Sequence, residues 1–165
     1  MTTGPVLECG SGLSSLVLAI ARRRFDLEIA SLESNRYWAR ATQKRLRAAH
    51  LPSTFIREAP LISYGEFDWY SVPEEPRAYS LILCDGPPKE TRGGRYGLVP
   101  VLYPAIAGAR IILDDAGRGS EQVLLRRWQA EFGTTWTMEA PDVLSREFAV
   151  VTVPPRQATA AKPSG

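Results

Sequence analysis

Short apolar runs alternate along the chain with longer stretches whose apolar residues recur every three or four positions. The short runs read as strands and the longer stretches as amphipathic helices. The pattern predicts strands over residues 5–9, 27–32, 54–58, 79–84 and 109–113, and helices over 13–24, 35–50, 98–106 and 120–132. Ser34 or Asn35 caps the second helix and Pro52 stops it. The run over 79–84 is nearly all apolar, as in a strand covered on both faces. Residues 61–76 read as an irregular or hairpin-like excursion, and 86–97 as a loop rich in proline, glycine and charge. Two last strands, over 134–139 and 147–153, are joined through Pro141 and Asp142 and read as an antiparallel end pair. Strand–helix alternation of this kind implies an α/β fold: a doubly wound, mostly parallel seven-stranded sheet with helices on both faces. One domain is expected over 1–153, with 154–165 a disordered tail of proline, alanine, threonine and lysine.

The 165 residues are 44% hydrophobic and 23% charged, an ordinary globular balance with enough chain to bury a core unaided by disulfides or metals. Net charge is +2. Arg22, Arg23 and Arg24, and the basic cluster over 44–47, fall late in predicted helices. There they suit the helix dipole and a solvated face better than a nucleic-acid stripe. Cys9 and Cys84, the only cysteines, end apolar strands and read as buried free thiols. No apolar run is long enough for a bilayer and no leader pattern precedes the first strand, so a cytoplasmic protein is expected.

In an open parallel sheet, ligands bind outside the carboxyl ends of the strands, where the strand order reverses. The residues predicted there are Glu8 to Ser15, Glu33, Glu58 to Leu61, Asp85 to Lys89, and Asp114-Asp115. Nearly all are acidic, small or glycine. Gly10 and Gly12 lack a Cβ and let something approach the backbone, so the first turn reads as a nucleotide-cofactor cradle. A dinucleotide is one candidate: Gly10-Ser11-Gly12-Leu13-Ser14-Ser15 is a degenerate phosphate turn with serine as its third glycine, and Glu33 fits a ribose. Against it stand Glu8, which would repel a pyrophosphate, and the acids after the strands over 79–84 and 109–113.

Taken in order, Leu7-Glu8-Cys9-Gly10-Ser11-Gly12, Ser31-Leu32-Glu33, Ala59-Pro60-Leu61, Leu83-Cys84-Asp85-Gly86-Pro87-Pro88 and Ile112-Leu113-Asp114-Asp115 resemble the motifs of class I S-adenosylmethionine (SAM)-dependent methyltransferases. The resemblance spans residues 6 to about 153. It implies SAM held by Glu8, Gly10, Ser11, Gly12, Ser14, Ser15, Glu33, Ser34, Ala59, Pro60 and Asp85. Glu8 would lie near the cationic methionine end, Glu33 would accept the ribose hydroxyls, and Ala59-Pro60-Leu61 would edge the adenine. Plainer duties are open to the same residues: a helix N-terminal charge for Glu33, a strand exit for 59–61.

The acid edge is similar to that of catechol and sugar O-methyltransferases. That likeness implies a magnesium ion on Asp85, Asp114 and Asp115, which would bind the acceptor hydroxyl and lower its pKa. It also makes Asp85 and Lys89 the catalytic candidates, although Lys89 stands one residue beyond the family's lysine base. An exposed loop charge is the alternative for Lys89, and loop or capping duty for Asp114 and Asp115. His50, the only histidine, falls at a helix end and suits capping. No Asn/Asp-Pro-Pro-Tyr/Phe motif of amino methylation is present. Trp69, Tyr70 and Tyr96 either shape an acceptor pocket or pack the excursion against the sheet.

The expected function is therefore SAM-dependent methylation of a small-molecule hydroxyl, with magnesium assisting. A nicotinamide oxidoreductase and a non-catalytic SAM-fold subunit are the alternatives. Only residues 1–4 precede the first strand, so a homo-oligomer or a partner chain is expected over the SAM site, unless the site is open or the sequence is a fragment. Neither membrane nor nucleic acid is an expected partner.

Overall fold

The computed structural model describes residues 4–72, 78–140 and 146–156. The 141–142 connection, the end of the excursion and tail residues 157–165 lie outside the described residues. The chain runs β1 (Val6–Cys9), α1 (Leu13–Phe25), β2 (Ile29–Glu33), α2 (Arg36–Ala48) and β3 (Ile56–Glu58). Next come β4 (Leu61–Ser63), β5 (Asp68–Tyr70), β6 (Leu81–Cys84), α3 (Leu98–Ile106), β7 (Arg110–Leu113), α4 (Gly119–Phe132), β8 (Thr135–Glu139) and β9 (Phe148–Thr152). Seven strands form one sheet in the order β3-β2-β1-β6-β7-β9-β8, and β4 and β5 form a separate antiparallel pair. Pairing is parallel from β3 to β7; β9 joins β7, and β8 joins β9, antiparallel. The doubly wound sheet with an antiparallel end pair is the architecture the alternation predicts.

Side chains alternate across each strand, and the two faces take different helices. Leu7, Cys9, Ile82, Cys84, Ile111 and Leu113 pack with Leu98, Leu102 and Ile106 of α3 and Leu124, Leu125 and Trp128 of α4. Val6, Ile29 and Ile56 face the other way, against Leu18 and Ala19 of α1 and Ala39 and Leu46 of α2. Helices thus lie on both faces, but the second layer is half a layer. It covers the β1–β3 side, while Ile112, Phe148 and Val150 farther along that face stay half-exposed. Beside them α1 leaves Leu13, Val17 and Ile20 exposed at 80%, 62% and 51%.

Local chemistry sets the element ends. Asn35, not Ser34, caps α2, its Oδ1 accepting from the N–H groups of Tyr37 and Trp38 at 3.0 and 3.1 Å. This satisfies two of the donors a helix start leaves unpaired. His50 lies just past the end of α2 with φ 54° and donates its N–H to Arg47 O at 3.0 Å. Residues 154–156 pack back on the body: Gly108 N–H donates to Pro154 O at 3.2 Å and Arg156 Nη2 to Pro104 O at 2.9 Å. Among the described residues no helix is long and apolar enough to cross a membrane.

The chain leaves β1 outward through β2 and β3, then returns to place β6 on β1's other side. The order reverses between β1 and β6, which puts the crevice at Gly10 and Asp85.

Candidate active site

Gly10 and Gly86 meet back to back in that crevice. Asp85 and Gly86 both donate their N–H to Cys9 O, at 3.0 and 2.7 Å. Gly10 adopts φ +90°, and a Cβ on it would fall 2.8 Å from Gly86 N. A Cβ on Gly86 would strike the buried Tyr70 hydroxyl, 2.3 Å away. Gly12 differs: its φ is 179°, and a Cβ there would meet nothing within 4 Å. The first glycine therefore serves the fold, and the second leaves space outside it.

The N–H groups of the turn are occupied. Ser11 donates its N–H to Glu33 Oε2 at 2.9 Å and its hydroxyl to the same oxygen at 3.0 Å. Gly12 donates its N–H to Ser15 Oγ at 2.9 Å. Glu33 Oε1 accepts from Asn35 N–H at 2.9 Å. A carboxylate offers about four lone-pair positions, so Glu33 keeps one direct acceptor position, and rotation of the Ser11 hydroxyl frees a second. Ser34 is half-buried between Glu33 and the capping Asn35. Ala59 is buried and donates its N–H to Glu33 O at 2.8 Å, while Pro60 is exposed and accepts from Ser71 N–H at 2.9 Å. Trp38, which sequence reasoning missed, donates Nε1 to Ser11 O at 2.5 Å and leaves its ring 46% exposed beside the turn. Its place three residues after a helix cap was the available signal.

Glu8 lies below the turn and is 1% exposed. It accepts hydroxyls from Ser14, Ser15 and Ser31 at 2.6, 2.7 and 2.5 Å. Ser31 is its register partner on β2. The hydroxyls of Ser14 and Ser15 are thus donated to Glu8. Burial raises the Glu8 carboxyl above its ordinary 4.5, opposed by the three hydroxyls and reinforced by nearby Glu33. A raised native pKa means that the folded state holds this proton more tightly than the unfolded one. The Glu8 contribution to stability is therefore full below about pH 4.5 and is lost as pH rises through the raised native value. Glu8→Gln is expected to remove that dependence, so its melting temperature gains on wild type between pH 4.5 and 7.5. Parallel melting curves for the two proteins would refute the assignment.

A cleft of about 430 Å³ opens beside the turn, its wall formed by Leu13, Leu83, Ile112 and Phe148 and its rim by Asp85 and Asp114. It lies on the face that α1 only half covers. The Asp85 side chain is 64% exposed. Partial desolvation, then the charges of Asp114 and Asp115, raise its carboxyl above the usual aspartate value, with Arg95 opposing. Lys89 is not in the cleft wall: its side chain is 69% exposed and its Nζ lies 3.9 Å from Glu90. Trp69, Tyr70 and Tyr96 are buried packing residues rather than acceptor contacts. Trp69 and Tyr70 meet edge to face at 5.1 Å, and Tyr96 O accepts from Trp128 Nε1 at 2.9 Å.

Asp85, Asp114 and Asp115 do converge, with carboxylate oxygens within 4.8 Å of one another. Their partners are what the sequence reading missed. Buried Arg95 reaches Asp114 O through Nη1 at 2.5 Å and Asp85 O through Nη2. Its Nη2 also lies 3.2 Å from Asp85 Oδ1 and 3.7 Å from Asp115 Oδ2. Arg118 and Arg146 pair with Asp115 at 2.7 and 3.1 Å. Asp114 Oδ1 accepts from Asp115 N–H at 2.8 Å. The donor set does not fit magnesium: both Asp115 oxygens are paired with guanidinium groups, Arg95 lies against Asp85 Oδ1, and an ion among the three acids would sit beside that buried positive charge.

Strand order, the reversal at β1 and β6 and the glycine turn at their ends together make this the class I SAM-dependent methyltransferase fold. Solved structures agree. A methyltransferase from Pyrococcus furiosus superposes with TM-score 0.61 at 14% identity, over 92% of this chain and 75% of that one. The N-terminal domain of human METTL16, in complex with S-adenosylhomocysteine (SAH), matches with TM-score 0.59 at 14% identity, over 92% and 62%. A candidate caffeoyl-CoA O-methyltransferase from Staphylococcus aureus matches with TM-score 0.61 at 13% identity, over 91% and 76%. No protein-family model matches the sequence, and no curated protein matches it. At such identities the likeness shows the fold, not the reaction.

Proposed function

We propose that the chain transfers the methyl group of SAM to a hydroxyl of a small, largely apolar molecule. The observation that carries this reading is the occupied turn. The N–H groups of Ser11 and Gly12 donate to Glu33 and Ser15, and Glu8 lies buried beneath. A pyrophosphate needs such donors free and no carboxylate behind them, whereas a ribose and a cationic sulfonium suit acceptors. The methyltransferase neighbours, one of them in complex with SAH, support SAM-dependent methyl transfer in general.

SAM, when bound, supplies an electrophilic methyl carbon on a positive sulfur. The acceptor oxygen forms the new C–O bond as the C–S bond breaks, and the bonding pair stays on sulfur. Asp85 takes the hydroxyl proton and passes it to water. Its raised pKa makes it a stronger base than an ordinary aspartate. Leu13, Leu83, Ile112 and Phe148 line the acceptor side and exclude water. Glu33 receives the ribose, and the rest is alignment of the two reactants.

Calorimetric titration tests the reading. SAH is expected to bind and NAD is not. NAD binding without SAH binding would place the chain among the nicotinamide enzymes. SAH binding with no methyl transfer across a panel of phenols and alcohols would favour a non-catalytic subunit.

A further inference from the structure

A cluster of acids accepts a metal only where its oxygens and its charge are unmatched. At the ends of β6 and β7 the charge is matched, and so are both oxygens of Asp115 and Oδ1 of Asp85. The Arg95 fork spans the two strand ends, donating to the backbone carbonyls of Asp85 and Asp114 while lying beside the carboxylates of Asp85 and Asp115. With Arg118 and Arg146 on Asp115, three guanidinium groups lie against Asp85 and Asp115 and balance the charge of the three acids, while the Asp114 carboxylate accepts from Asp115 N–H. An entering divalent ion would need those oxygens and would lie against a buried guanidinium that does not deprotonate.

Arg95 is also fixed from behind. Its side chain is 5% exposed, and its loop is seated on the β4–β5 pair. Cβ atoms on Gly93 and Gly97 would fall 2.5 Å from Phe67 and 2.8 Å from Trp69, so glycine at both places lets the loop close down. Closing it turns Arg95 inward.

We propose that Arg95 is a built-in cation standing where the catechol-type acid edge implies magnesium, and that this protein works without a divalent metal. Arg95 is then a positioning residue. It holds the ends of β6 and β7 together and leaves the Asp85 carboxylate presented to the cleft. The catalytic half of this proposal rests on the methyltransferase reading; the cation half does not.

Manganese is the probe, with free Mn2+ read by electron paramagnetic resonance on the full chain. Wild type is expected to show no saturable site. Arg95→Gln is expected to gain one, with affinity up on the order of tenfold or more, since a buried positive charge leaves three carboxylates. Asp114→Asn added to that variant should abolish it. Arg95→Lys keeps the charge and is expected to stay without a site. Saturable Mn2+ binding by wild type that Asp114→Asn removes overturns the proposal. So does a folded Arg95→Gln protein with no site, or a site in Arg95→Lys. If circular dichroism shows Arg95→Gln unfolded, the wild-type and Asp114→Asn titrations decide alone: a shared absence of binding upholds the proposal. SAH titration in the presence of a chelator is read separately, so a failure of the methyltransferase reading leaves the manganese outcome interpretable.

Discussion

Gly10→Ala is expected to lower the melting temperature by on the order of 10 °C, at about 2–4 °C per kcal/mol for a domain of this size. Two costs combine. A non-glycine residue at φ +90° carries strain of about 1–3 kcal/mol. Its Cβ would also lie 2.8 Å from Gly86 N, a backbone atom with little freedom to retreat, and overpacking of that kind costs about 1–3 kcal/mol. Gly12→Leu is the contrasting variant. Its φ of 179° suits any residue, and open space surrounds the position, so stability should stay within about 0.5 kcal/mol of wild type. SAH affinity should nevertheless fall at least about tenfold, or about 1.4 kcal/mol, because the new side chain fills the approach to the turn. Thermal unfolding and SAH calorimetry on both variants check the pair. A stable Gly10→Ala protein would remove the back-to-back contact as its fold determinant, and normal SAH binding by Gly12→Leu would move the cofactor elsewhere.

Glu33→Ala is expected to weaken SAH binding by about 1–3 kcal/mol, the range for losing a hydrogen bond to a charged group. The same change also removes the acceptor for Ser11 N–H, Ser11 Oγ and Asn35 N–H. Ser11 is 6% exposed, so its N–H would be left with little water, and the melting temperature should fall as well. Glu33→Gln separates the two roles. It keeps one acceptor oxygen for the turn but offers the ribose a neutral amide, so stability should recover more than affinity does. Unchanged SAH affinity in Glu33→Ala would take this carboxylate out of the site.

The strand ends carry the clearest messages in the sequence. The apolar run ending at Cys9, the acids at Glu33, Asp85 and Asp114, and the glycines between Cys9 and Leu13 are local features. Each follows from what a strand exit or a tight turn demands of its own residues, and all of them fall at the crevice. The Leu98–Ile106 helix is also where its periodicity put it. The residues over 61–76 were harder to read: two three-residue strands, Leu61–Ser63 and Asp68–Tyr70, have too little period to announce themselves. Lys89 shows the limit of a motif. A lysine at nearly the right spacing after Asp85 turns to solvent and to Glu90.

Residue order alone specified the parallel sheet, its antiparallel end and the acid-rich edge, because periodicity, turn glycines and strand-end acids act over a few residues. The glycine turn, Glu33 and the placing of aspartates at the strand ends follow from those same short-range rules. Partnerships across the chain did not. Ser31 reaches Glu8 from 23 residues away, Arg95 reaches Asp114 from 19, and Arg146 reaches Asp115 from 31. Those contacts depend on strand register and on how a glycine-rich loop closes over β5, and no local pattern encodes them. They decide whether a carboxylate is buried or presented, and whether an acidic edge is open to a metal or already filled by arginine.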